Sequence, residues 1–199
     1  ALGSLYALET GSLYDSAQAT RSAIDLLARI DYASYLPHNS ASYPESEFGL
    51  ALKQTAALIR AEVGLEAACI DLGGWDTHVN QGGAEGQQAR LLADLANGLA
   101  AFHGDMGDEL RGVSVVVMSE FGRRVQENGG GGTDHGHGGA LLLMNGNLIT
   151  TPVVARWSGL HTEALDNGDL AVTTDYRDVL AELLTRRLNN AALSDVFPN

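Results

Sequence analysis

Lysine is nearly missing from this chain: Lys53 is the only one, set against 25 acidic residues, and the formal net charge is -13. Such a surface repels phosphate backbones, which argues against a general nucleic-acid-binding role. It also repels small anions unless bound cations or local arginines reverse the field. Cysteine is as scarce. Cys69 stands alone, so no intrachain disulfide can form, and its apolar setting, AACIDL, predicts a buried and inert thiol. A lone cysteine suits a cytosolic protein and does not exclude an exported one. No apolar run approaches the roughly 20 residues of a membrane span. The opening residues, ALGSLYALETGSLYD, lack the charged start and apolar stretch of a signal peptide, so any targeting segment is expected upstream.

What is present is the composition of a globular protein. The chain has 199 residues, 45% of them apolar, with a mean hydropathy of -0.04. That is enough for one domain with a sizeable core. Helical spacing marks residues 17–30 (Ala19, Ala23, Leu26, Leu27, Ile30) and residues 45–63 (Phe48, Ala51, Leu52, Thr55, Leu58, Ile59), the second expected to end at Gly64. A third helix is expected over 86–106 and a fourth over 175–188, capped by Thr174 or Asp175. Apolar runs at 66–72, 113–118, 140–144 and 153–155 read as strands, the VSVVVM run most clearly.

Strands alternating with helices predict an α/β fold, a mostly parallel sheet with helices on both faces. One domain over 1–199 is expected, with 1–42 a helical and loop-rich lead-in and 43–199 the core. A doubly wound sheet usually opens on a strand. The helical opening therefore predicts that the chain is the C-terminal portion of a larger domain.

Three polar clusters each follow an apolar run: GGWDTH with Asp76 and His78, SEFGR with Glu120 and Arg123, and TDHGHG with Asp134, His135 and His137. In open α/β sheets the functional crevice lies at the carboxyl ends of the strands, so three loops could converge on one rim. Mixed Asp, Glu and His donors suit zinc, manganese or a similar divalent ion. The planar fork of Arg123 suits a phosphate or sulfate. Each cluster has a plainer reading. Asp76 could close an Asx turn, Glu120 could pair with Arg123 or Arg124, and all the loops could form one hydrogen-bonded network. No GxSxG occurs, which argues against a nucleophile-elbow hydrolase.

GGWDTH, the long SEFGRRVQENGGGGTDHGHGG block, TTDYRDVLAELL and the closing VFP resemble the bacterial family called domain of unknown function 1501. That resemblance implies an alkaline phosphatase and sulfatase-like fold, one or two divalent metals, a small anionic ester as substrate and a periplasmic or secreted location. It implies Asp76, His78, Glu120, Asp134, His135 and His137 as metal ligands and Arg123 on the substrate. Two registers fit the superfamily's Asp-His-Gly. Either TDHG supplies it literally, or Glu120 takes the Asp place with Phe121 for the His, and His135 or His137 acts as the later histidine; strand context favours the second. The expected upstream Asp and the Ser or Thr nucleophile are not found in residues 1–40, so an N-terminal segment or partner chain is expected to supply them. A metal-dependent hydrolase of phosphate or sulfate esters is thus the leading expectation, and a non-catalytic metal-binding or structural module the alternative.

Overall fold

The computed structural model describes residues 11–145, 147 and 153–198. They fall into two compact units, one made of Ala1–Gly73 with Leu92–Gly107 and the other of Gly74–Leu91 with Asp108–Asn199.

The first unit is helical. Helix α1 spans Ser12–Leu27 and buries none of its residues. Helix α2, Glu47–Arg60, begins where Ser46 accepts a hydrogen bond from the Gly49 amide, the side-chain cap that satisfies an otherwise orphaned N–H. The same hydroxyl donates to Asp94 at 2.8 Å, tying the cap to helix α3, Gln87–Met106. Phe48, Leu52, Ala56 and Ala57 of α2 form this unit's core with Ala101, Phe102 and Met106 of α3. Gly98 lets the two helices close: a Cβ there would lie 2.6 Å from the Phe48 ring. After α2 the backbone turns through Glu62 and Gly64, both at positive φ, so the glycine expected as the cap lies beyond a left-handed glutamate.

Asp105 is the polar anchor of this unit. Its carboxylate is fully buried and accepts from the Tyr43 hydroxyl at 2.7 Å, the Tyr35 hydroxyl at 2.9 Å and the His38 amide at 2.8 Å. Arg60 lies 3.9 Å away. Burial, and then the hydrogen bond to Asp105, push the Tyr35 phenol up to about 12 and raise that of Tyr43 as well.

The second unit carries the strands, and here the expected architecture fails. Three two-stranded ladders occur among the described residues, all antiparallel. Strand β1 (Ser114–Val117) pairs with β4 (Leu142–Asn145), β2 (Gly122–Arg123) with β3 (His135–Gly136), and β5 (Leu165–Asp166) with β6 (Asp169–Leu170). The expected mostly parallel, alkaline-phosphatase-like sheet with helices on both faces is therefore overturned. A parallel crossover needs a returning helix or an equivalent length of chain across the sheet. Residues 118–141 instead hold the β2–β3 hairpin and deliver β4 antiparallel to β1.

Residues 66–72 and 153–155, both apolar enough for strands, join no ladder. Cys69 is exposed there, not buried as its neighbours suggested. Leu110 is this unit's buried large apolar side chain, while Gly122, Gly132, Gly136, Gly138 and Thr77 supply other buried positions. Close backbone packing, more than an apolar layer, organises these loops. Helix α4 (Tyr176–Arg187) starts at Asp175, whose side chain accepts from the Arg177 amide, and a short α5 (Leu193–Val196) follows. No described helix is long and apolar enough to cross a membrane.

Asp105→Ala should cost about 3–5 kcal/mol, because it leaves two phenols and the His38 amide short of a buried acceptor, read as a drop in the denaturant midpoint at constant m-value. A phenol whose folded pKa is raised contributes stability fully present below its unfolded pKa, and that stability is lost as pH rises through the folded value. Tyr35 therefore predicts loss of stability from pH 10 through about 12. Alkaline unfolding followed by circular dichroism should show it, and Tyr35→Phe should make it shallower, the raised Tyr43 phenol supplying the remainder.

Candidate metal centre

Residues 75–81 and 128–135 are sewn together by main chain. The Asn80 and Gln81 amides donate to the Gly130 and Gly131 carbonyls at 3.0 and 2.9 Å, and the Thr133 amide donates to Thr77 at 3.4 Å. Gly132 makes this approach possible, since a Cβ there would collide with the carbonyls of Thr77 and His78. Beneath the loops, Gln81 Oε1 accepts from the hydroxyls of Thr77 at 3.0 Å and Thr133 at 2.8 Å. From the other side, β2–β3 pairing sets Arg123 opposite His135, and the Arg124 amide donates to the Asp134 carbonyl at 2.9 Å.

These constraints bring three donor atoms into a triangle. Asp76 Oδ1 lies 3.0 Å from His78 Nε2, His78 Nε2 lies 3.0 Å from His135 Nε2, and His135 Nε2 lies 3.0 Å from Asp76 Oδ1. Asp76, His78 and His135 form the one group of three or more His, Cys, Asp or Glu side chains able to hold a metal ion among the described residues. Asp134 is not in the triangle. Its Oδ1 lies 3.0 Å behind the ring, at His78 Nδ1.

The protonation pattern follows from the partners. Asp134 is held below the usual carboxylate range first by the hydrogen bond from Asn128 and then by that from His78. Asp76 is held low first by the hydrogen bond from His135, then by the charge of His78 and the hydrogen bond from Arg123. Ionised carboxylates only accept, so His78 Nδ1 is the donor to Asp134, which leaves Nε2 facing the triangle. A divalent cation answers all three donors at once. The residues fit such an ion: two imidazoles, one carboxylate, and a carboxylate behind one imidazole that fixes its tautomer.

The other residues expected at the site lie around this centre or apart from it. Arg123 donates to the Thr133 carbonyl at 2.5 Å, the Trp75 carbonyl at 2.7 Å and Asp76 at 3.1 Å. Its fork thus braces the ligand loops. His137 faces away, 3.3 Å from Asp169 and 4.0 Å from Asp166 on the β5–β6 hairpin. Glu120 is exposed and joins no metal-ligating group. Its neighbour Phe121 stacks on His135, with ring centroids 4.0 Å apart. Sequence reasoning passed over Asn128 and Gln81 as components of the site. The only available signal was their position beside the glycine run and the WDTH motif, because amides carry no metal-ligand signature.

The described residues thus combine helices with short antiparallel ladders, and a two-histidine, one-carboxylate cluster on close-packed loops. The chain belongs to the DUF1501 family, described as a protein family of unknown function, whose profile matches residues 15–186. No curated protein and no solved structure matches the chain.

If the triangle binds metal, manganese or zinc in hundredfold excess over Kd should stabilise the chain by about 2.7 kcal/mol, read as a rise in Tm. Asp76→Ala and His135→Ala should abolish that rise, whereas Glu120→Ala and His137→Ala should keep it. Affinity should fall on acidification, because the imidazoles must be free of protons to ligate.

Proposed function

We propose that this chain holds a divalent metal centre and hydrolyses phosphate or sulfate esters, with water as the attacking group. The observation that carries the reading is the triangle of Asp76, His78 and His135, with every edge at 3.0 Å. Three protein donors would hold an ion without filling its coordination, leaving room for substrate and water. Open positions are the mark of catalytic sites as opposed to closed structural ones. The two imidazoles and one carboxylate suit a single manganese, zinc or similar divalent ion.

A bound ion supplies Lewis acidity, polarising an ester oxygen and acidifying water. The chain's own groups do the rest. Asp134 fixes the His78 tautomer, and Phe121 covers one face of His135. Arg123 holds Asp76 and the Thr133 carbonyl, and its charge, added to the ion's, offsets an otherwise acidic surface for an anionic ester. The hydroxyls nearest in sequence are engaged elsewhere: Thr77 and Thr133 with Gln81, and Ser119 with the Phe121 carbonyl at 2.9 Å. Water is therefore favoured over a side-chain nucleophile.

The same occupied hydroxyls support a second reading, a metal-binding module without turnover. The two part on one experiment. Metal-stripped protein is reloaded with manganese or zinc and assayed on aryl phosphate and aryl sulfate esters. The hydrolase reading expects turnover that needs the ion and falls at least a hundredfold in His135→Ala. Saturable metal binding without turnover would leave the module, and no binding would remove both.

A further inference from the structure

Asn128 stands where the glycine loop, the His78 main chain and the Asp134 carboxylate meet, and it uses the full capacity of its amide. Its Nδ2 donates to the His78 carbonyl at 3.0 Å and to Asp134 Oδ1 at 2.9 Å. Its Oδ1 accepts from the Gly130 amide at 2.9 Å and the Gly132 amide at 3.2 Å. Two donors and two acceptors are all that a carboxamide has. Because the Oδ1 partners are main-chain N–H groups and the Nδ2 partners are oxygens, the amide cannot be flipped without losing all four bonds.

From this geometry we infer that Asn128 is a positioning residue for the metal centre, acting through Asp134 and His78 on the ion that the proposed function requires. Asp134 Oδ1 receives two hydrogen bonds, one from Asn128 and one from His78 Nδ1. The first fixes where that oxygen sits, and the second fixes which nitrogen of His78 carries the proton. Without the Asn128 donor, Asp134 is free to turn towards solvent, and the His78 ring can hold its proton on Nε2, where it blocks ligation. The other Nδ2 bond holds the His78 main chain, so a single side chain controls both the place and the tautomer of one ligand. Outer partners of this kind typically govern metal affinity by 10–100-fold.

Asn128→Asp is the informative variant. It keeps both acceptors for the glycine loop, loses both donors and sets a second carboxylate beside Asp134. The expected result is an unchanged far-ultraviolet spectrum and at least a tenfold loss of manganese or zinc affinity by competition with a chromophoric chelator. The wild-type metal-free protein should show His78 as a single Nδ1–H tautomer in long-range nitrogen–proton correlation spectra, and the variant a mixture. Asp134→Asn, which leaves the Asn128 bonds to the glycine loop intact, should also loosen the tautomer; combined with Asn128→Asp, its loss should be less than additive. Unchanged affinity and tautomer in Asn128→Asp, or strictly additive losses, would overturn the inference. If wild-type protein binds no metal, the proposed function falls, and the tautomer of the metal-free protein still decides the role of Asn128.

Discussion

A carboxylate that stays ionised can only accept hydrogen bonds, and that restriction on Asp134 governs the whole centre. It makes His78 Nδ1 the donor and leaves Nε2 facing Asp76 and His135. Several bonds of the second unit keep Asp134 and His78 in register. The Asn80 and Gln81 amides grip the glycine loop, Gln81 ties Thr77 to Thr133, and Arg123 closes the far side against Asp76. Little apolar burial is available here, so main-chain hydrogen bonds and side-chain amides take the part that a hydrophobic layer takes elsewhere.

The two units treat a carboxylate in opposite ways. Asp105 is sealed from water and saturated by two phenols and a main-chain amide, with no donor capacity left for a ligand. Asp76 is 74% exposed and shares one oxygen among two imidazoles and a guanidinium. A buried, fully satisfied acid stabilises a fold. An exposed acid held low by neighbouring donors, with an arginine on the same oxygen, is instead open to solvent and to a ligand. The same residue type is thus a buried anchor in one unit and an exposed candidate ligand in the other because of its partners.

Much of the local structure was legible in the chain. The helical spacing of Phe48, Ala51, Leu52, Thr55, Leu58 and Ile59 foretold α2, the long apolar series from Leu91 foretold α3, and Asp175 was one of two residues expected to cap α4. Helices can be read this way because their hydrogen bonds close within one segment. The strands could not be read so far. VSVVVM and the LLLM run are equally suited to parallel or antiparallel neighbours, and residues 66–72 are suited to a ladder that they do not join. Apolar character marks a segment able to pair; it does not name the partner or the direction.

Composition fixed the scarcity of lysine, the single thiol and the acidic field, and the motif letters brought Asp76, His78, Asp134 and His135 forward as residues with chemistry to perform. Those properties belong to residues one at a time, or to neighbours within a few positions. Only the tertiary structure decided that Asp134 backs His78 without joining the triangle, that His137 turns to Asp169, that Arg123 braces loops, and that Asn128 stands between them. The reason is distance along the chain. His78 and Asp134 are brought together by main-chain bonds between remote loops, and whether an oxygen faces a nitrogen or an open site depends on angles that no spacing of letters encodes.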